Sequence, residues 1–222
     1  MLRSKMIRAA IPKGVPINFV DSVIATGSLS TSGNITVSTD DFVIAFKSGQ
    51  FASFLSNDTY GGTSSISSIT DDITSSNGTA GAQTAYYLDL LSHFTVTSGG
   101  TLNITDNDGG QNAGFGLLAV DGGDSLSFNQ GTSSISVSSV TANDIVVIFE
   151  IAEDVSSGVI PSTPSGYTSA GTYNIVAGKG GGSTYIGARV SYKTGQSGTV
   201  SHTVTTAGGI FNTGVIIRIY NA

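Results

Sequence analysis

One short segment of the chain carries side-chain oxygen atoms that could bind a metal ion. The segment Asp106-Asn107-Asp108-Gly109 resembles the start of a calcium loop, in which alternate carboxylate and amide oxygens coordinate a hard cation. The next acidic residue is Asp121, and no glutamate follows at the spacing that such a loop needs. We therefore predict a solvated turn between strands, with a calcium site at Asp106 and Asp108 as the alternative, and we expect no cofactor.

A serine nucleophile is the second chemistry that the residues suggest. Residues 123–126 read GDSL, the signature of a group of serine esterases, which would make Ser125 the nucleophile. Such a serine needs a histidine base that a carboxylate orients. Neither His93 nor His202 has an acidic residue three positions before it, and no helix pattern follows Ser125. We predict a Gly-Asp turn leading into a strand, and a protein that is not an enzyme.

A glycine-rich segment around Lys179 has some likeness to a phosphate-binding loop. Residues 177–184 read AGKGGGST, so the lysine is followed by glycine rather than by serine or threonine. A phosphate-binding loop also opens a helix, and no helical pattern follows here. We predict a hairpin turn.

The composition indicates the elements that must position these residues. The 222 residues include 30 Gly, 33 Ser and 26 Thr, and 39% of the chain is hydrophobic. Helix formers are scarce, whereas β-branched and aromatic residues, which favour strands, are plentiful. We predict an all-β chain. Cysteine is absent, which excludes disulfides and thiolate chemistry, and no apolar run reaches the length of a membrane span.

Charge divides the chain into three parts. Residues 1–18 carry a net charge of +4, residues 19–124 carry −10, and residues 125–222 carry none. The four cations of the first part are Arg3, Lys5, Arg8 and Lys13. This stretch lacks the apolar centre of a secretory signal, and its prolines and glycine oppose an amphipathic helix. It is either a frayed terminus or a basic arm that binds an acidic partner surface, and we predict the arm. Four cations without aromatic residues do not indicate nucleic-acid binding.

The chain contains two similar halves. Residues 37–46 (VSTDDFVIAF) match residues 140–149 (VTANDIVVIF), with Asp41 aligned on Asp144. Two later blocks follow in the same order: residues 88–102 match 186–200, and residues 116–120 match 214–218. Matching blocks in one order indicate a duplicated domain. We predict an arm at residues 1–18, a β-sandwich domain at 19–122 and a second one, its repeat, at 123–222.

Hydrophobic patterning locates strands within each half. Alternation along residues 185–193 puts Ile186, Ala188 and Val190 on one face, which is typical of a sheet buried on one side. Residues 145–151 are nearly all apolar, which predicts a central strand covered on both sides. The stretch from Ser56 to Gln83 has little periodicity and predicts a long surface loop. Uncharged strand edges favour pairing with other chains, so we expect an oligomer.

The second half resembles a β-sandwich module of virion structural proteins of tailed bacteriophages. The resemblance rests on the turn Pro164-Ser165-Gly166-Tyr167-Thr168, on the strand RVSYK at residues 189–193 and on the closing strand to Tyr220. Tyr167 stands where such modules often carry tryptophan. The resemblance implies two tandem antiparallel sandwiches of jelly-roll-like type, although the residues themselves leave immunoglobulin-like connectivity open.

The resemblance also implies a structural role in a phage particle. The expected function is that of a capsid decoration or cement protein, made in the host cytoplasm, located on the virion surface and forming a dimer or trimer. Its partners would be the major capsid protein or other virion proteins, through the arm, with no membrane or nucleic acid involved. The alternatives are a tail or fibre component, or a carbohydrate-binding module in which Tyr167 and Tyr185 would contact a glycan.

Overall fold

A computed structural model describes residues 14–28, 32–50, 55, 58–74, 86–105, 112–154, 159–179, 182–207 and 211–222. The strands are β1 (Asn18–Ser28), β2 (Ser32–Val37), β3 (Phe42–Gln50), β4 (Thr59–Gly62), β5 (Ser65–Ile66), β6 (Thr70–Ile73), β7 (Tyr86–Ser98), β8 (Gly100–Thr105), β9 (Asn112–Asp121), β10 (Ser125–Gly131), β11 (Ser134–Val140), β12 (Ile145–Asp154), β13 (Thr168–Lys179), β14 (Gly182–Thr194), β15 (Gly198–Thr203) and β16 (Phe211–Tyr220). The described part of the chain has no α-helix. The prediction of an all-β chain is confirmed.

Each half contributes one large and one small antiparallel sheet. Large sheet 1 has the order β1-β9-β3-β7-β5, with β6 also paired to β7, and small sheet 1 has the order β2-β8-β4. Large sheet 2 has the order β10-β16-β12-β14-β13, and small sheet 2 consists of β11 and β15. The strands β1–β9 therefore build one half and β10–β16 the other, with the change between them at residues 122–124.

The strand pairs within each half are nested. In the first half β1 pairs with β9, β2 with β8 and β3 with β7. In the second half β10 pairs with β16, β11 with β15 and β12 with β14. Pairing the first strand with the last and the second with the one before it, alternately in two sheets, is jelly-roll connectivity. The two halves differ after their third strand. The first half has β4, β5 and β6 between β3 and β7, whereas the second half has β13 between β12 and β14.

Three hydrophobic cores separate four layers of sheet. One core lies between small and large sheet 1 and includes Ile35, Val43 and Leu117. Another lies between large and small sheet 2 and includes Val146 and Val200. The third and largest core lies between the two large sheets, where β1 and β9 pack against β13 and β7 packs against β16. The two halves thus bury their largest apolar faces against each other.

The central strands β3 and β12 are apolar on both faces because each separates two cores. In β12, Val147 and Phe149 point into the core between the large sheets, whereas Val146 and Ile148 point towards small sheet 2. Residues 145–153 are all buried. The prediction of a central strand here is confirmed.

Two sequence predictions need correction. The stretch from Ser56 to Gln83 is not one long loop, because β4, β5 and β6 lie within it and Ile73 is buried. Strands of two to four residues are too short to show a periodicity. The outer face of β14 is also more covered than we expected, since the chain at residues 159–167 crosses it. A Cβ at Gly187 would lie 1.8 Å from the Val159 carbonyl oxygen, so only glycine fits there.

The repeated aspartate closes the same turn in both halves. The Asp41 carboxylate accepts a hydrogen bond from the Ser38 amide at 2.7 Å. The Asp144 carboxylate accepts one from the Thr141 amide at 2.8 Å and one from the Thr141 hydroxyl at 2.9 Å. A carboxylate that bonds backbone three residues away stabilises a tight turn, which here precedes β3 and β12.

Truncation of Phe149 tests whether the shared core couples the halves. Its ring is buried and lies 4.9 Å, centroid to centroid, from that of Phe46 in the other large sheet. We expect Phe149→Ala to lower the free energy of unfolding by about 3–5 kcal/mol, the usual cost of such a cavity. Denaturant titration should show one transition that moves as a whole. Val20→Ala, at an exposed site, is the control; a transition that splits, with one part unmoved, would contradict the coupling.

Candidate partner-binding site

The first described residues of the chain are fixed at the junction of the two halves. Ile17 is 2% exposed and belongs to the core between the large sheets. Its amide donates a hydrogen bond of 2.8 Å to the carbonyl oxygen of Asn143, in the second half, before the chain enters β1 in the first half. Residues 14–17 therefore connect both halves, and they are part of the fold rather than of the predicted arm.

The C-terminus and the linker between the halves meet at the same place. Asn221 accepts a hydrogen bond from the Gly123 amide at 2.9 Å, and its side-chain amide donates one to the Val15 carbonyl at 3.4 Å. The Asp124 carboxylate accepts a hydrogen bond of 2.9 Å from the Ala222 amide. Three separate parts of the chain thus hold the point at which the basic residues are attached.

A cavity of about 230 Å³ opens beside this attachment point. Its lining consists of Gly14, Val15, Thr141, Asn143, Asp144, Arg218 and Asn221. The Arg218 Nε donates a hydrogen bond of 2.7 Å to Asp144, and the guanidinium lies 4.2 Å from the centre of the Tyr220 ring. A guanidinium held by a carboxylate on one side and a ring on another keeps a fixed orientation, so the cavity has a preformed polar wall.

The four cations of the arm, Arg3, Lys5, Arg8 and Lys13, lie outside the described residues. Their tether is nevertheless defined, because Gly14 is the first described residue. An extended chain spans at most about 3.5 Å per residue, so Arg3 reaches no further than about 40 Å from Gly14. The structure therefore defines where the predicted positive segment is attached, namely at Gly14.

The body at this end is acidic in the first half. Asp40, Asp121 and Asp124 are exposed there. Asp41 is buried without the arginine that pairs with Asp144 in the second half, where Val120 aligns with Arg218. Burial raises the pKa of Asp41, with further contributions from Asp121 and Asp40, although the hydrogen bond from the Ser38 backbone opposes this.

The two tyrosines of the glycan hypothesis do not form one site. Tyr167 precedes β13 at the end of the sheet where Thr168 pairs with Tyr192, and Lys193 Nζ lies 5.6 Å from the centre of its ring. Tyr185 pairs with Asp154 towards the opposite end of β14. Seven residues of strand span about 23 Å, too far for the two rings to contact one small sugar.

The other sequence motifs occupy ordinary positions. Ser125 begins β10 opposite Tyr220. Each histidine has one ring nitrogen near a carboxylate: His93 Nδ1 is 2.8 Å from Asp72, and His202 Nε2 is 2.9 Å from Glu150. Strands β13 and β14 pair as far as Lys179 and Gly182, which confirms the hairpin.

The calcium candidates Asp106 and Asp108 lie outside the described residues. Among the residues that the structure does describe, no three histidine, aspartate or glutamate side chains are grouped as a metal site would need.

The comparisons with known proteins identify no relative. No family model, curated protein or solved structure matches this chain. In the described ranges no helix is long and apolar enough to span a membrane. The class that the coordinates define is therefore architectural: an all-β protein made of stacked antiparallel sheets.

Buried charges that the sequence did not reveal occur at one aligned position of the two halves. Lys47 in β3 aligns with Glu150 in β12, and both are buried. Lys47 Nζ donates hydrogen bonds of 2.8 and 2.9 Å to the two carboxylate oxygens of Asp58, which is also fully buried. Glu150 accepts a hydrogen bond of 2.7 Å from the Thr205 amide. In each half, a charge near the middle of a central strand thus holds a segment of the outer layer.

Glu153, near the end of β12, is buried differently. It is 1% exposed, and neither carboxylate oxygen has a hydrogen-bond partner among the described residues. Burial raises the pKa of Glu153 from its ordinary 4.5 to about 7. The Glu153 carboxyl group is therefore mostly protonated below about pH 7, because burial penalises its charged form.

Removal of one member of the Lys47–Asp58 pair should be costly. We expect Lys47→Met to lower the free energy of unfolding by about 3–5 kcal/mol, because it leaves a buried carboxylate without its cation. Lys47→Met combined with Asp58→Leu should cost less than the sum of the two single changes. Denaturant titration of all three variants measures this difference. Lys193→Met, at a partly exposed lysine, is the control, and strictly additive losses would contradict the pairing.

Glu153 should make stability depend on pH. Since its pKa is raised in the folded state, its contribution to stability is greatest below pH 4.5 and falls as the pH rises to about 7. We expect Glu153→Gln to be about 2–3 kcal/mol more stable than the parent at pH 8, and to show no such gain at pH 4.5. Chemical denaturation at the two pH values measures the gain. The exposed Asp124→Asn is the control, and an equal gain at both pH values would contradict the assignment.

Proposed function

We propose that this protein is a non-enzymatic structural protein of a phage particle, with capsid decoration or cementing as its role. The proposal rests on the rigid attachment of the predicted basic arm to the folded body. Ile17 is inserted into the core between the halves, so the cations at residues 3–13 are attached to a rigid body rather than to a loose terminus. A rigid attachment lowers the entropic cost of binding through a charged tail.

The stacked sheets support a bracing role. Four layers joined by three cores form a body whose two halves share their largest apolar contact. A protein that binds only the assembled shell stabilises that shell by mass action. The body resists deformation best if its halves do not move separately, which the shared core favours. A tail or fibre component would use the same features, so location decides between them.

The arm's contribution can be tested by truncation. We expect removal of residues 1–13 to weaken binding to particles that lack the protein by at least tenfold, because the four cations are lost. Co-sedimentation at low and high salt measures binding, and the intact protein should bind less tightly at high salt, since salt screens exposed charges. The truncated chain keeps Ile17 and should melt at the same temperature as the intact one.

Two controls make the result decisive. Replacing Arg3, Lys5, Arg8 and Lys13 by glutamine should reproduce the loss with the chain length unchanged. Antibody labelling of purified particles should place the protein on the head. Label on the tail would assign it to the tail or a fibre, and its absence from particles would overturn the proposal. Unchanged binding after truncation would remove the arm from it.

A further inference from the structure

The free edge of large sheet 2 at β10 has the features of a pairing surface. Among the strands that the structure describes, β10 pairs with β16 alone, in a continuous register from Ser125 to Gly131. Its sequence, SLSFNQG, contains no charge and no proline. Phe128, at its centre, is 39% exposed, although it lies opposite the fully buried Ile217 on the neighbouring strand. Straight, uncharged edges with exposed apolar residues are the ones that pair with other strands.

The edges on the other side of the stack are protected. β1 contains an irregularity between Phe19 and Asp21, and the Asp21 carboxylate accepts hydrogen bonds from the amides of Ser22 and Thr36. β13 has a similar irregularity after Ser169. The Ser22 hydroxyl donates a hydrogen bond of 3.0 Å to the carbonyl of Ala170, which connects these two edges. Bulges and inserted charges are the devices by which sheets avoid unwanted pairing, and β10 has neither.

We propose that β10 pairs with β10 of a second copy of this chain, antiparallel and about a two-fold axis through Phe128. An antiparallel pair of identical strands is self-complementary, as a two-fold interface requires. Centring it on Phe128 uses all seven residues of the strand on both copies. The pairing would join two five-stranded sheets into one sheet of ten strands.

This register places compatible residues opposite each other. Phe128 faces Phe128 of the second copy, and directly opposed side chains in antiparallel strands have Cβ atoms about 5 Å apart, close enough for the rings to stack. Ser127 faces Asn129, and Leu126 faces Gln130. The only charged residue adjoining the strand, Asp124, lies beyond its end and faces Thr132, so no like charges oppose the approach. Such pairing is independent of what the arm binds.

Association of the purified full chain tests the proposal. We expect a dimer, twice the chain mass of 22.5 kDa, whose dissociation constant is on the order of 1–100 µM, since the contact is small. Light scattering and sedimentation equilibrium over a range of concentrations measure it. Phe128→Lys should weaken the dimer at least tenfold, because two cations would meet on the axis. Val20→Lys, at an equally exposed residue on the protected β1, should leave it unchanged.

A single cysteine tests the register, because the chain has none of its own. We expect Phe128→Cys to form a disulfide-linked dimer under mild oxidation, since the two thiols would lie opposite each other at bonding distance. Leu126→Cys should link far more slowly, because residue 126 faces residue 130 in the second copy. Val20→Cys provides the background rate of random collision.

Several results would overturn the proposal. These are a chain that stays monomeric up to about 1 mM, a trimer or larger ring, a dimer that Phe128→Lys leaves intact, and cross-linking at residue 128 no faster than at residue 20. Circular dichroism and melting temperatures of the lysine variants separate a lost interface from a lost fold. If Phe128→Lys does not fold, the cysteine variants still decide the register.

Discussion

The two large sheets bury their facing sides against each other, and this contact constrains every other layer. Because β3 and β12 have a core on each side, both are apolar over their first five residues, 42–46 and 145–149. The small sheets then cover the remaining apolar faces and leave serine and threonine outside. The halves resemble each other in strand pairing, yet neither completes its apolar burial alone. Ile17 reinforces the contact, since the residues before the first strand contribute to the same core.

Much of this architecture follows from local patterns in the sequence. The nearly continuous apolar run at residues 145–151 is accommodated between two cores, and the alternation along β14 identifies which side chains enter one. The aligned Asp41 and Asp144 mark a turn, because a carboxylate three residues after Ser or Thr caps the backbone there. The face-to-face packing of the large sheets does not follow from such patterns, since an apolar face does not specify which other face will cover it.

The partner-binding site was less predictable, because contacts between residues distant in sequence define it. The charge distribution predicts a basic arm at residues 1–18, but only the structure shows that residues 14–17 belong to the body, where Asn143 and Asn221 hold them. The pair Lys47–Asp58 is also hidden in the sequence, because a lysine in a strand normally indicates an exposed face. Its partner comes from residues 56–83, whose lack of periodicity predicts a loop. Residue type alone suggests that Tyr167 and Tyr185 could share a glycan site. Their separation along β14 depends on the strand register, which the sequence does not show.

The position of the buried charges shows how two halves with the same strand pairing differ in their outer segments. At one aligned position the first half has Lys47 and the second has Glu150, so the outer segment that covers it must supply an acid in one case and an amide and imidazole in the other. A buried ion pair adds little net stability compared with apolar residues, but it penalises any arrangement that separates its members. The charge therefore selects which outer segment can pack on each central strand. In the first half that segment carries Asp58 and leads into β4, whereas in the second Glu150 contacts His202 and Thr205, at the end of β15. The two halves thus cover the same position with segments from different places in the strand order, although they pair their strands alike.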